Sequence, residues 1–174
     1  MTAAPSAKIN TTSARQRSAA STPAWLFATF FGIGRLPFGP GTWASAATVL
    51  LWWVLAYVTA ISWHTPMAAA LASLAIVGGI PAATKLAREY NLTDPSFVVI
   101  DEVAGQLIAL IAVPVRWKTL LVSFILFRIF DIWKPPPLRR LETLPDGTGI
   151  ILDDVAAGAY ALAVMHIFLY LRWL

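Results

Sequence analysis

With 174 residues the chain is long enough for one compact unit, but only 13% of them are charged, against about 25% in a soluble domain. Its 58% hydrophobic content and mean hydropathy of +0.69 read as a membrane protein instead. The absence of cysteine excludes disulfides, thiolate metal sites and a cysteine nucleophile; the net charge of +4 is modest, and no nucleic-acid partner is expected.

Residues 1–22 are rich in Ala, Ser and Thr, carry Lys8, Arg15 and Arg17, and contain no acid. They read as a mobile basic arm, with a targeting sequence as the alternative. They lack the uninterrupted apolar stretch and small-residue cleavage site of a signal peptide. Residues 23–174 then make up one membrane domain. Its first stretch, 25–33, is apolar but too short to cross a bilayer, so a re-entrant or interfacial segment is expected there.

Gly32-Ile-Gly-Arg-Leu-Pro-Phe-Gly-Pro-Gly-Thr42 follows. Four glycines and two prolines in eleven residues cannot make a regular helix. They predict a loop rich in available backbone N–H groups, leading into a helix near Trp43. Such a loop can hold an anion, with Arg35 as a fixed positive charge and Thr42 as cap or phosphate donor. A simple turn at the membrane surface is the plainer reading.

Hydrophobic segments then occupy residues 42–62, 67–84, 97–115, 120–133 and 155–173, with a polar loop at 85–96. A helical span needs about 20 residues, with a range of about 17–25, so the fourth segment is marginal. The expected fold is all-α: a polytopic membrane helical bundle of four to five transmembrane helices. Trp43, Trp63, Trp117, Trp133 and Trp173 stand at segment ends, where interfacial anchors belong; Trp52 and Trp53 read as core. Threading five spans puts ten positive residues on one side (Lys8, Arg15, Arg17, Arg35, Lys85, Arg88, Arg128, Lys134, Arg139 and Arg140). Three fall on the other (Arg116, Lys118 and Arg172), so the first side is cytoplasmic. A soluble bundle of very apolar helices is the alternative.

Five of the nine acids lie where an apolar segment meets its cytoplasmic flank: Asp101, Glu102, Asp131, Asp153 and Asp154. In Ile100-Asp-Glu-Val-Ala-Gly105, Asp101 and Gly105 share a helix face, and the glycine permits close approach of a neighbouring helix. In Phe127-Arg-Ile-Phe-Asp-Ile-Trp-Lys-Pro-Pro-Pro137, the residues Arg128, Asp131 and Lys134 are spaced three apart as one helical stripe, and the prolines stop the helix. That stripe is either a salt-bridge ladder or a phosphate-binding set. In Gly147-Thr-Gly-Ile-Ile-Leu-Asp-Asp-Val-Ala-Ala-Gly158, two adjacent acids are expected to open the last helix. Glu142 and Asp146 read as loop solubility, and His64 and His166 fall at the opposite membrane side.

Carboxylates are costly in a bilayer, so five of them together point to a shared purpose. Oxygen ligands without Cys or placed His suit a hard cation such as Mg²⁺, and the nearby Arg and Lys suit phosphate. The chain lacks the Asp-x-Asp of haloacid-type phosphatases, and Thr143 breaks the acidic pattern of the alcohol phosphatidyltransferases ahead of Asp146-Gly147.

Taken in order, four motifs resemble the phosphatidylglycerophosphatase A family of bacterial lipid phosphatases. They are Gly32-Ile-Gly-Arg-Leu-Pro with Pro40-Gly-Thr42, Ile100-Asp-Glu-Val with Gly105, Phe127 to Pro135, and Gly149 to Val155 with Ala157-Gly158. Ala44 departs from the glycine expected there. The resemblance implies a Mg²⁺-dependent enzyme at the cytoplasmic face of the bacterial inner membrane, converting phosphatidylglycerophosphate to phosphatidylglycerol and phosphate. On this reading Asp101, Glu102, Asp131, Asp153 and Asp154 hold one or two Mg²⁺, and one of them activates water. Arg35, Arg128 and Lys134 neutralise the phosphate, while the loop with Gly34, Gly41 and Thr42 offers it N–H groups. The acyl chains of the phospholipid substrate stay in the bilayer. A small cation- or proton-coupled transporter using the same acids is the competing reading, and a scaffold binding anionic lipid is a third.

Overall fold

A computed structural model describes residues 23–174; the basic arm expected at 1–22 lies outside the described residues. Among these, every regular element is helical. The first, α1 (Pro23–Ala28), opens on a proline, whose missing N–H is no loss at a helix start. It packs on a later helix, with Phe27 lying against Gly78. The chain then doubles back through Phe30, Phe31 and Gly32, all at positive φ, into a short 3₁₀ turn at Ile33–Arg35.

Gly39, also at positive φ, turns the chain into α2 (Pro40–Val58), again with proline in its first turn. A second 3₁₀ turn, Ile61–Trp63, leads into α3 (His64–Tyr90). This helix outruns the expected 67–84 because its polar end continues as helix, supported by the Lys85–Glu89 pair one turn apart. Asn91 closes it in the left-handed conformation, its N–H donating to Ala87 and Arg88 carbonyls.

The next helix, α4 (Ile100–Ala109), is half the length of the expected 97–115 segment. Eight of its ten residues are buried, so its apolar character reflects packing among other helices on all sides. Beyond it, Ala112 has positive φ and Pro114 prevents continuation. Then α5 (Trp117–Trp133) ends at Lys134, in the left-handed conformation ahead of the three prolines. A single turn, α6 (Leu138–Leu141), precedes α7 (Asp146–Tyr170). The last helix begins nine residues before the expected 155. Asp153 and Asp154 therefore lie two turns inside it and do not open it.

Alternation brings the starts of α2, α4 and α7 to the same end of the bundle as the finishes of α3 and α5. Contacts between Gly41 and Glu102, Arg88 and Asp146, and Lys134 and Asp153 record this meeting. His64 and His166 lie at the other end, against the carbonyls of Ala56 and Ile111. Small residues on α3 (Ala72, Ala75, Ala82, Ala83 and Ala87) let α4 and α7 settle closely on it.

The outside of the bundle is apolar. Leu50, Val54, Val58, Leu74, Val77, Leu121 and Ile129 all point outward and are exposed, the inverse of a soluble surface. Three stretches have the length and composition to cross a membrane: α2, the run from Ile61 through α3, and α7, at mean hydropathies of 1.4, 1.7 and 1.6. By length, α4 falls far short and α5, at 17 residues, is at the lower limit. Trp43, Trp63, Trp117, Trp133 and Trp173 are all exposed at helix ends. Trp52 is buried as expected, whereas Trp53 is half exposed on the outer face of α2.

Candidate metal and phosphate site

Two glycines set the geometry. A Cβ on Gly158 would stand 2.3 Å from the Gly105 carbonyl oxygen, and one on Gly105 would stand 2.5 Å from the Asp154 carbonyl oxygen. Helices α4 and α7 thus touch backbone to backbone. Asp101 lies one turn before Gly105 and Asp154 one turn before Gly158, so this crossing brings the two carboxylates together. The first turn of α2 closes a third side: a Cβ on Gly41 would be 1.8 Å from Glu102 Oε1.

Ligand oxygens of Asp101, Glu102 and Asp154 consequently lie within 4.8 Å of one another. Asp101 is 9% exposed and Asp154 3%. Asp101 Oδ1 and Glu102 Oε2 are buried with no hydrogen-bond partner. At such spacing each ionised pair repels by about 3–4 kcal/mol at an effective dielectric of about 20. Acceptor-only oxygens crowded in this way need a proton or a cation. The all-oxygen donor set suits a hard divalent ion.

Asp131, near the end of α5, lies close enough to Asp154 for the two carboxylates to repel when both are ionised. Its Oδ2 also lies 2.5 Å from Arg128 Nη1, one turn away. This is an ion pair by distance only: Arg128 Nε and Nη1 are buried without a hydrogen-bond partner. The guanidinium therefore retains donors suited to phosphate oxygens.

Lys134 leaves the stripe expected of it because α5 has already ended. Its Nζ donates to Asp153 Oδ2 at 2.6 Å and to Glu142 Oε1 at 2.5 Å. Burial works against the Lys134 charge, but the bonds to Asp153 and Glu142 outweigh it and hold its pKa above the ordinary lysine value. Asp153 Oδ1 accepts from the Asp154 N–H at 3.0 Å. Asp153 thus ties the end of α5 to α7, next to the three carboxylates whose oxygens gather within 4.8 Å. Glu142 and Asp146, read from sequence as solubilising, are ion-pair partners of Lys134 and Arg88. No sequence spacing announces either pair, since each depends on where a loop returns. Lys134→Ala should lower stability by roughly 2–3 kcal/mol, because it strands Asp153 in a buried position; the partial exposure of Lys134 keeps the loss below that of a fully buried pair. Thermal unfolding in detergent measures this, and Lys134→Arg should restore most of the loss.

The glycine loop divides in two. Gly34 is buried, its N–H donates to the Thr29 carbonyl at 2.9 Å, and a Cβ there would meet the Phe97 carbonyl at 2.0 Å. Its observed work is packing. Arg35 and Thr42 are exposed, and Arg35 has no ion-pair partner among the described residues. Gly41 is buried against Glu102.

The family model described as PgpA, Phosphatidylglycerophosphatase A, matches residues 26–169. A protein of Bacteroides thetaiotaomicron, provisionally named a phosphatidylinositol-3-phosphatase, is 41% identical over 85% of this chain and 92% of its own length. The phosphatidylglycerophosphatase A of Escherichia coli K12 is 31% identical over 88% of this chain and 87% of its own length. That of Haemophilus influenzae is 35% identical over 85% and 90%. No solved structure matches the chain. A match spanning the glycine loop, the carboxylate cluster and the α4–α7 crossing leaves one conclusion: the chain belongs to the phosphatidylglycerophosphatase A family.

Proposed function

We propose that this chain is a membrane-embedded phosphoric monoester hydrolase that removes the terminal phosphate of phosphatidylglycerophosphate. The observation that carries the reading is the buried Asp101–Glu102–Asp154 cluster with partnerless oxygens, in a chain of this family. The competing transporter reading has no support from the relatives.

Asp101, Glu102 and Asp154, with Asp131 and Asp153 beside them, would hold Mg²⁺. Bound there, Mg²⁺ supplies positive charge for the phosphoryl group and acidifies a water molecule. The chain's own residues do the rest. Arg128 directs its unpartnered N–H groups at the phosphoryl oxygens. Asp131 orients that guanidinium and takes the proton of the attacking water. A bond forms from the water oxygen to phosphorus, the bond from phosphorus to the glycerol oxygen breaks, and that oxygen takes a proton from solvent to leave as the alcohol of phosphatidylglycerol, after which Asp131 returns its proton to solvent. Lys134, held by Asp153, adds positive charge at the rim. Arg35 and Thr42, with the backbone at Gly34 and Gly41, border the approach.

On this proposal α2, α3, α5 and α7 cross the bacterial inner membrane and α4 stays inside the bundle. The excess of Lys and Arg at the site end makes that end cytoplasmic. Residues 23–174 form the catalytic domain and 1–22 its basic arm.

A second head group has one specific observation in its favour, the phosphatidylinositol-3-phosphatase name of the 41% identical relative. Phosphate release from equal amounts of phosphatidylglycerophosphate and phosphatidylinositol 3-phosphate in mixed micelles separates the two. Preference for the glycerol lipid by about tenfold or more in kcat/KM is expected. The reverse preference would replace this substrate by the inositol lipid.

A further inference from the structure

A lipid phosphatase buried in a bundle needs a route by which its substrate can reach the site without leaving the bilayer. Three cavities among the described residues are candidates for it. The polar one, about 600 Å³, has Arg88 but is lined by Asp94, Glu142, Asp146 and Asp153, so it repels an anion. The apolar one, about 300 Å³, lies between α1, α2, α3 and α4, with Phe27, Leu51, Trp52 and Leu74 in its wall and no charged residue.

The third, about 480 Å³, is an open groove between the first turn of α2 and the outer face of α5. Its floor is apolar, made by Phe124, Ile125, Ile129 and Ile132, and its polar end carries Thr42 and Arg128. Ile125, Ile129 and Ile132 recur at helical spacing and are exposed, forming a stripe that runs about 10 Å along the helix. Beside this stripe, between the levels of Ile125 and Ile132, Arg128 holds its partnerless N–H groups next to Asp131, which neighbours Asp154. Of the three, this groove joins an outward-facing apolar wall to a cation next to the carboxylate cluster. That combination is complementary to a phospholipid phosphomonoester: anion at the head, acyl chain behind it.

We infer that the α2–α5 groove is the lateral path of the substrate, with an acyl chain lying along Ile125, Ile129 and Ile132 while the phosphate meets Arg128. The inference rests on the proposed function and adds to it the face of the bundle that the lipid uses. It makes these isoleucines positioning residues, removed from the reacting atoms.

The test fills each groove in turn and compares a long-chain phosphatidylglycerophosphate with its deacylated, water-soluble counterpart. Ile125→Trp and Ile129→Trp should lower the ratio of lipid to deacylated turnover by about tenfold or more, since the obstruction lies on the chain's path and away from the chemistry. Leu74→Trp, in the other apolar cavity, should leave the ratio at its wild-type value. An unchanged ratio in the α5 variants, or a fall confined to Leu74→Trp, would overturn the inference. A misfolded variant loses both activities together, so a second readout, independent of turnover, uses the wild-type protein. A photoreactive acyl chain on the same lipid should label residues 121–132, read by mass spectrometry; label confined to α1 and α3 would overturn the groove. Labelling of α5 without turnover of either substrate would count against the proposed function and leave the groove standing.

Discussion

Asp154→Asn should abolish phosphate release, by at least about 100-fold, the upper range for losses caused by residues one step further from a metal. The same change should make the metal-free protein more stable. Asp154 is 3% exposed and faces Asp101, Glu102 and Asp131, so removing its charge relieves repulsion inside the cluster. A gain of about 1 kcal/mol would appear as a rise of about 2–4 °C in the Tm measured in chelator at pH 8. Mg²⁺ should then stabilise the wild type, by about 2.7 kcal/mol at a hundredfold excess over its Kd, and the variant far less. Asp101→Asn should behave alike. Opposite movements of activity and metal-free stability are the mark of a site whose charges are gathered for a cation. Retained activity, or an equal Mg²⁺ shift in variant and wild type, would remove Asp154 from the site.

The second large effect is expected from one methyl group. Gly158→Ala places a Cβ 2.3 Å from the Gly105 carbonyl oxygen and 3.0 Å from its Cα, so backbone must move. The overpacking costs about 1–3 kcal/mol and is offset in part by the better helix propensity of alanine, worth about 1 kcal/mol. The larger consequence is geometric. Asp101 and Asp154 sit one turn from this crossing on parallel helices, and a displacement of about 1 Å can cost about 100-fold in rate. A fall of that order in kcat, with a Tm lowered by only a few degrees, is expected. Gly78→Ala is the control: its Cβ meets the Phe27 ring at 2.9 Å, which can swing aside, and activity should stay close to wild type. Wild-type activity in Gly158→Ala would show that the crossing does not position the carboxylates.

Much of this architecture is legible in the chain because acids in apolar surroundings are conspicuous. Asp101, Glu102, Asp131 and Asp154 stand out for their setting, and Gly105 and Gly158, each one turn beyond an acid, announce a close helix contact. Hydropathy misleads where two kinds of burial look alike. The 97–115 segment is apolar, but α4 occupies its middle as a helix enclosed by protein, and hydropathy does not tell lipid from neighbouring helices. Gly147 and Gly149 lie ahead of the segment expected at 155–173, yet α7 runs through them; a Cβ on Gly147 would meet the Ile80 carbonyl at 2.3 Å, so the glycine is there for packing on α3. The plus-minus-plus stripe holds for Arg128 and Asp131 and fails at Lys134, whose left-handed backbone turns it toward Asp153. The ion pairs of Glu142 and Asp146 depend on the path of a loop, which no periodicity encodes.

The most direct test of the central claim is phosphate release from phosphatidylglycerophosphate by the detergent-purified protein, first in chelator and then with Mg²⁺ added back. A buried carboxylate site that works through a bound cation predicts no release in chelator and full recovery with Mg²⁺. Undiminished release in chelator would contradict it, and would make Asp101, Glu102 and Asp154 a proton-sharing cluster in place of a metal site.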